Sequence, residues 1–110
     1  MVTYTFDTYY DAHNPKAREL YWQQAWNSLA RRYGWDAWWI DQCEPDNGAL
    51  LDERRKAVFY SGKGIDYFNT YALEHTKGIY KGCRKDFAGK RAFFLSRQAF
   101  AGQQRNATTL

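Results

Sequence analysis

The sequence predicts an α/β fold with parallel strands and the element order β-α-β-α-β. Three short apolar runs have the length and composition of strands, at residues 2–6, 35–40 and 92–95. Two longer stretches with apolar residues at helical spacing separate them. A strand, a helix and a second strand joined by short connections form a right-handed unit whose strands are parallel. The 110 residues are enough for one small domain.

The first predicted helix begins at Asn14 and Pro15, because Asn caps a helix well and Pro is tolerated at the first helical position. It ends at Gly34, where a left-handed residue is expected. Its aromatic face consists of Tyr21, Trp22, Ala25, Trp26, Leu29 and Tyr33, and its polar face of Lys16, Gln23, Asn27 and Arg31. We expect the aromatic face to pack on a sheet rather than to stand open to a ligand.

The tryptophan-rich run at residues 35–40 is apolar apart from Asp36, which predicts a strand buried on both faces. The run stops at Asp41, and Glu44 and Asp46 follow within a few residues. A buried strand with a carboxylate at its C-terminal end is the layout of a parallel α/β site, where chemistry lies at the carboxyl ends of strands. From the spacing alone, the alternative that these are ordinary turn-forming acids stays open.

The second half of the chain contains a long connection, a helix and the last strand. The connection at residues 41–64 has the length of a pocket-forming loop and has room for a short helix within residues 50–60. The second helix is predicted over residues 65–85, with an apolar face made of Phe68, Tyr71, Ala72, His75, Ile79 and Cys83. On that face His75 is interpreted as a hydrogen-bonded packing residue rather than a ligand or base. Residues 100–110 are predicted to be irregular.

Composition narrows the function. Aromatic residues make up 19% of the chain, so they form either a large core or the walls of a cleft for a flat, weakly polar ligand such as a sugar ring. The net charge is +4, but the basic residues are scattered, which argues against nucleic-acid binding. Cys43 and Cys83 lack metal-ligand spacing and are expected to be buried or free thiols. No apolar run has membrane-spanning length, and no export signal is visible.

Three blocks of the sequence resemble glycoside hydrolase family 31, most closely its bacterial α-xylosidase and α-glucosidase-like members. The blocks are YDAHNPKARELYW at residues 10–22, DAWWIDQCEPD at residues 36–46 and LSRQAFAGQQR at residues 95–105. They occur in the family's order and spacing and span nearly the whole chain. The resemblance implies a (β/α)8 TIM barrel, of which residues 1–110 are one fragment holding the third to fifth strand–helix region.

The resemblance also implies hydrolysis of α-glycosidic bonds with retention of configuration and without a cofactor or metal. By this correspondence Asp41 is the nucleophile and Arg97 binds the sugar in the −1 subsite. Trp39 and Glu44 take pocket-lining roles. Gln98 stands where the family usually has Ser, a departure directly beside the sugar-binding Arg.

The acid/base of the family lies in a W-x-G-D block that follows shortly after the segment corresponding to residues 95–105. By family spacing that block falls beyond Leu110, and none of Asp46, Asp52 or Asp66 is assigned its role. We therefore expect the chain alone to hydrolyse no substrate usefully, whether α-xyloside or α-glucoside. Two alternatives stay open: a non-catalytic sugar-binding or interaction module, and one part of a split enzyme.

The expected partner is an α-linked oligosaccharide or glycoside, with no nucleic acid and no membrane. A three-stranded fragment of a barrel would also expose strand edges and apolar patches. We therefore expect self-association or pairing with a complementing barrel segment.

Overall fold

The structure is a computed structural model that describes residues 9–41, 43 and 55–110. The predicted first strand at residues 2–6 and the predicted site residue Glu44 lie outside the described residues. Five strands are present in the described part: β1 Trp38–Ile40, β2 Val58–Phe59, β3 Gly62–Lys63, β4 Phe94–Ser96 and β5 Thr108–Thr109. Its helices are α1 Pro15–Tyr21, a π-helical segment Trp22–Asn27, α2 Ser28–Tyr33, α3 Gly64–Tyr67 and α4 Tyr71–Asp86. Short 3-10 turns lie at Phe68–Thr70 and Gln103–Arg105.

The main sheet has three parallel strands in the order β1-β4-β5. Ile40 lies opposite Ser96, and Ser96 lies opposite Thr109. The parallel α/β prediction is therefore confirmed. The prediction that residues 100–110 are irregular is wrong, because β5 is the third strand of this sheet. Two paired residues are too few for an alternating pattern to show in the sequence.

The first helix has the predicted ends, and its predicted inner face is confirmed as far as Trp26 but not beyond it. The Asn14 side chain accepts a hydrogen bond from the Lys16 backbone N–H at 3.0 Å, and Gly34 has a φ of 66°. Along the helix Trp22 and Ala30 are buried, but Leu29 is 40% exposed and Tyr33 is 55% exposed. The π-helical segment causes this difference, since its i→i+5 hydrogen bonds use one more residue per turn. The face beyond the segment therefore lies one residue later than the 3.6-residue period predicts.

The strand at the tryptophan-rich run is shorter than predicted and is buried on one face only. Trp38 and Ile40 are buried, whereas Trp39 is 60% exposed. The prediction of a strand buried on both faces is therefore wrong. Among the described residues the helices cover only one side of the sheet, so the residues that point to the other side meet none of these helices. β4 shows the same division, with Phe94 and Ser96 buried and the preceding Phe93 54% exposed.

The second predicted helix is divided by the 3-10 turn Phe68–Thr70, but its inner face is confirmed. Five of the six predicted positions are buried: Tyr71, Ala72, His75, Ile79 and Cys83. The long connection ends in an antiparallel hairpin of β2 and β3. Arg55 and Lys56 are helical, in agreement with the short helix predicted within residues 50–60, whereas Val58 and Phe59 belong to β2.

The core lies between the helices and one face of the parallel sheet. Its buried members are Trp22, Ala30, Trp38, Ile40, Cys43, Ala72, Ile79, Cys83, Phe94 and Ala107. The Phe94 ring stacks on Trp38 with centroids 5.1 Å apart. Within the described ranges no helix is long and apolar enough to cross a membrane.

Candidate active site at the carboxyl edge of the parallel sheet

Asp41 and Arg97 are the residues that directly follow β1 and β4. Because these strands are parallel and Ile40 lies opposite Ser96, the residues that follow them are neighbours at the carboxyl edge. The Arg97 backbone N–H donates to the Ile40 carbonyl at 3.2 Å, and Arg97 Nη1 donates to Asp41 Oδ1 at 3.1 Å. The structure thus brings together the two residues that the sequence predicts as nucleophile and sugar-binding group.

The alternation of β1 places Trp39 on the same side of the sheet as Asp41. Residues two apart in an extended segment share a face, so Asp41, which directly follows β1, continues the side of Trp39, and both are exposed on the side that the described helices leave uncovered. By the same rule Arg97, which directly follows β4, continues the side of Leu95. The exposed indole of Trp39 therefore lies on the same side of the sheet as the Asp41–Arg97 pair.

The Asp41–Arg97 ion pair is too exposed to serve mainly as a source of stability. Its side chains are 45% and 41% exposed, respectively. Exposed ion pairs contribute about 0–1 kcal/mol to folding. Solvent exposure suits the pair to bind a polar ligand. A carboxylate can act as nucleophile, base or hydrogen-bond acceptor, and a guanidinium can donate several hydrogen bonds to hydroxyl groups.

Buried polar residues behind this pair were not predicted as part of a site. Cys43 is 2% exposed and its Sγ lies 3.1 Å from Ser96 Oγ. Gln103, also 2% exposed, donates to the same hydroxyl at 3.4 Å. The prediction that Cys43 and Cys83 are free or buried thiols is confirmed, since both are free and buried. The available sequence signal was position: Cys43 follows Asp41 by two residues and Ser96 directly precedes Arg97.

His75 is a packing residue, as predicted. Its ring is 6% exposed, and burial lowers its pKa to about 4. Burial is also the main cause that raises the pKa of the Tyr10 hydroxyl, so that hydroxyl stays protonated. The 2.7 Å contact between Tyr10 Oη and His75 Nδ1 is therefore a hydrogen bond between two neutral groups.

The start of the first sequence block joins the hairpin to the helices. His13 is buried, its ring stacks on Phe59 at 4.9 Å, and its Nε2 lies 3.3 Å from Thr70 Oγ1. Burial is the main cause that lowers the pKa of His13. Asp11 Oδ2 accepts a hydrogen bond from the Tyr60 backbone N–H at 2.7 Å. Sequence reasoning gave these two residues no role, and their contacts are those of a scaffold.

A groove of about 410 Å³ lies elsewhere, between the first helix and α4. Its walls include Trp22, Gly78 and Gly82, and its rim carries both Lys81 and Asp86. This mixed rim presents no pair of groups with an evident chemical role. The carboxyl edge of the sheet is therefore the better candidate site. Among the described residues no group of three or more His, Cys, Asp or Glu side chains could hold a metal ion.

Parallel strands, helices on one side and functional groups at the carboxyl edge define a piece of a β/α barrel. The Glycosyl hydrolases family 31 TIM-barrel domain matches residues 3–109. The chain therefore belongs to glycoside hydrolase family 31, and the resemblance and the partial-barrel fold are both confirmed.

Two curated relatives show how much of a longer protein this chain corresponds to. An alpha-xylosidase of Saccharolobus solfataricus is 39% identical over 111 aligned residues, which cover 87% of this chain and 14% of the relative. A protein described as an uncharacterized family 31 glucosidase of Pseudescherichia vulneris is 29% identical over 99 residues, which cover 89% of this chain and 18% of the relative. The chain thus spans less than a fifth of the length of either relative.

Proposed function

We propose that residues 1–110 are one fragment of a retaining α-glycosidase barrel and that this fragment carries the nucleophile, Asp41. The observation that supports this most directly is the 3.1 Å contact between Asp41 and Arg97 at the carboxyl ends of adjacent parallel strands. In β/α barrels, catalytic groups come from the ends of several strands on that side of the sheet. Family membership supplies the reaction class.

Each group at the edge has a role in this proposal. The Asp41 carboxylate attacks the anomeric carbon and forms a glycosyl–enzyme ester, which water then hydrolyses. Arg97 donates hydrogen bonds to the sugar hydroxyls and holds the carboxylate on the side of the sheet that the helices leave uncovered. The exposed Trp39 ring offers an apolar wall to the sugar face. We assign Glu44 to the same pocket from the resemblance alone.

The second carboxyl group of the reaction is expected from another segment of the barrel. A retaining glycosidase needs its acid/base about 5 Å from the nucleophile. The W-x-G-D block that supplies it in the family does not occur in this sequence. Loss of general-acid assistance costs on the order of 10²- to 10⁴-fold in rate. We therefore propose that the chain alone has no useful hydrolytic activity.

The proposed substrate is an α-linked xyloside or glucoside. The names of the two relatives, an alpha-xylosidase and a family 31 glucosidase, support these two sugars. The higher identity to the alpha-xylosidase makes an α-xyloside the first substrate to test.

A substrate whose leaving group needs no protonation tests the nucleophile separately from the missing acid. The folded chain is incubated with 2,4-dinitrophenyl α-xyloside, and intact-mass and peptide analyses locate any xylosyl adduct. We expect an adduct on the peptide that contains Asp41 and none in Asp41→Asn. An adduct of equal yield in Asp41→Asn, or no adduct on wild-type chain shown by circular dichroism to be folded, contradicts the assignment.

Turnover of an ordinary alkyl α-xyloside tests the proposed lack of activity. We expect the rate with wild-type chain to equal the rate with Asp41→Asn. Robust turnover that depends on Asp41 contradicts that part of the proposal.

The exposure of Trp39, at 60%, favours one second candidate, a non-catalytic sugar-binding module. Titration calorimetry with xylose and glucose, combined with a measurement of size, distinguishes the two. Specific binding by a monodisperse monomer that forms no adduct supports the module. Absence of binding together with adduct formation supports the glycosidase fragment.

A further inference from the structure

A closed set of hydrogen bonds lies directly behind the Asp41–Arg97 pair. It joins the Cys43 thiol, the Ser96 hydroxyl and both backbone groups of Gln98, and it is called the thiol ring below. The Gln98 N–H donates to Cys43 Sγ at 3.4 Å, and Cys43 Sγ lies 3.1 Å from Ser96 Oγ. The Ser96 hydroxyl donates to the Gln98 carbonyl at 2.8 Å.

One proton arrangement satisfies every member of the thiol ring. When the Ser96 hydroxyl donates its proton to the Gln98 carbonyl, the hydrogen bond between Cys43 and Ser96 is donated by the thiol, whose other acceptor, the Ile40 carbonyl, is farther away at 3.8 Å. The sulfur then accepts from the Gln98 N–H, and the Ser96 oxygen accepts a second bond from the Gln103 amide. The Gln98 N–H thus donates to the sulfur, the thiol donates to the Ser96 hydroxyl, and that hydroxyl donates to the Gln98 carbonyl. Each group of the thiol ring therefore has a hydrogen-bond partner.

The thiol ring links the two strand ends that carry the functional groups. Cys43 follows Asp41 by two residues, and the Ile40 carbonyl that lies 3.8 Å from its sulfur also accepts the Arg97 N–H. Ser96 precedes Arg97 and Gln98 follows it, so Arg97 is held on both sides. Gln103 and the Leu110 N–H, which donates to the Ser96 carbonyl at 2.9 Å, extend the link to the β5 side.

We propose that Cys43 is a positioning residue that fixes Arg97 against Asp41 through the thiol ring. The catalytic purpose of this positioning rests on the proposed function. The positioning itself is a property of the chain without sugar. Buried polar groups that are fully hydrogen-bonded specify one local geometry. The exposed ion pair cannot do so alone, because solvent competes for both of its partners.

Cys83 provides a matched control for Cys43. Both cysteines are 2% exposed and both belong to the same apolar cluster. Cys83 lies within α4, in the part of the helix that packs on Trp22 rather than at the carboxyl edge of the sheet. Truncation to Ala removes the same side chain from the same core in both variants, but only one truncation opens the thiol ring.

Amide hydrogen exchange followed by NMR on the full chain tests the proposal without any sugar. In Cys43→Ala we expect exchange of the Arg97 and Gln98 amides to accelerate about tenfold more than exchange of the buried α4 amides, which report global stability. In Cys83→Ala we expect all of these amides to accelerate together. Cys43→Ser should restore most of the Gln98 protection, because a hydroxyl also donates and accepts.

If Cys43→Ala does not fold, Ser96→Ala can be used instead, because it removes two hydrogen bonds of the thiol ring. It should accelerate the Arg97 and Gln98 amides selectively in the same way. Equal, uniform acceleration in Cys43→Ala and Cys83→Ala, or in Ser96→Ala and Cys83→Ala, overturns the proposal. Failure of the xylosyl adduct in wild-type chain would contradict the proposed function and leave this exchange result standing, so the two failures are distinguishable.

Discussion

The close contact between α4 and the first helix predicts a marked loss of stability for Gly82→Ala. A Cβ at Gly82 would lie 2.6 Å from Cδ1 of Trp22 and still closer to Cγ and Cδ2, inside the 3.0 Å limit for real Cβ contacts. The indole borders the groove between the two helices but is held in place, because the residue is 3% exposed and its Nε1 donates to Asp86 Oδ2 at 2.6 Å. The added methyl group therefore forces the two helices apart or breaks the indole hydrogen bond.

Two opposing effects set the size of that loss. Replacing Gly with Ala inside a helix gains about 1 kcal/mol of helix propensity. Overpacking a rigid core contact costs typically about 1–3 kcal/mol, and loss of the indole hydrogen bond adds about 1 kcal/mol. We expect a net destabilisation of about 1–3 kcal/mol, which corresponds to a melting temperature lower by roughly 4 °C or more in a domain of this size.

Two other glycines provide graded controls. A Cβ at Gly78 would lie 2.9 Å from Cβ and Cδ of Arg18, a less severe overlap than at Gly82 but one with an atom held by the backbone, and the Arg18 guanidinium pairs with Glu74 at 2.7 Å. A Cβ at Gly89 would meet no heavy atom within 4 Å in the described part of the chain. We expect Gly78→Ala to destabilise by about 0–2 kcal/mol, since overpacking of about 1–3 kcal/mol is offset by about 1 kcal/mol of helix propensity. Gly89→Ala should change the free energy of unfolding by less than about 0.5 kcal/mol.

Equilibrium urea denaturation of the three variants measures this order directly. The midpoint should fall most for Gly82→Ala, less for Gly78→Ala and least for Gly89→Ala, with an unchanged slope. A Gly82→Ala variant as stable as wild type, or no less stable than Gly89→Ala, would refute the proposed rigidity of the contact between Trp22 and Gly82.

Three further predictions concern the buried imidazole, the core and the exposed pair. Burial lowers the pKa of His75 from 6.5 to about 4, so its neutral form is favoured in the folded state. Stability from this group is complete above about pH 6.5 and falls by on the order of 3 kcal/mol as the pH drops to about 4. The dependence of the urea midpoint on pH should therefore flatten across this window in His75→Gln. An unchanged pH profile in that variant contradicts the prediction. Phe94 is 1% exposed, and Phe94→Ala should cost about 3–5 kcal/mol in urea denaturation; a loss below about 1 kcal/mol would show that the core lies elsewhere. Asp41→Asn and Arg97→Gln should each change stability by less than about 1 kcal/mol in the same assay, since both side chains are more than 40% exposed, and a larger loss would mean that the pair has a structural role.

Helix ends were predictable from the sequence because their chemistry is local. The Asn14 cap and the left-handed Gly34 each depend on a few neighbouring residues, and both are found where the sequence places them. The π-helical segment was not predictable from apolar spacing, because a change in backbone hydrogen-bond register leaves no mark on residue type. Its consequence is the one-residue displacement that buries Ala30 and exposes Leu29.

The candidate site also contains residues that the sequence indicated and residues that it did not. Asp41 was a candidate because a carboxylate that ends an apolar run is typical of sites in parallel sheets, with ordinary turn-forming acids as the alternative. The predicted roles of Asp41 as nucleophile and of Arg97 as sugar-binding group came from the family resemblance. The thiol ring was not found, because its central contact joins Cys43 and Ser96, which are 53 residues apart in the chain. No local pattern connects two such residues before the parallel register of β1 and β4 is known.

Strand register determines whether Asp41 can serve as part of a site at all. Successive residues of β1 alternate between the helix-covered face and the uncovered face, so moving the chain by one residue would exchange Trp38 with Trp39 and turn Asp41 toward the core. The stacking of Trp38 on Phe94 fixes the register from the covered face. At the carboxyl edge the Ile40 carbonyl fixes it again, by accepting the Arg97 N–H. The apolar core and the polar edge therefore select the same pairing, and that pairing places the carboxylate and the guanidinium side by side where a sugar could reach both.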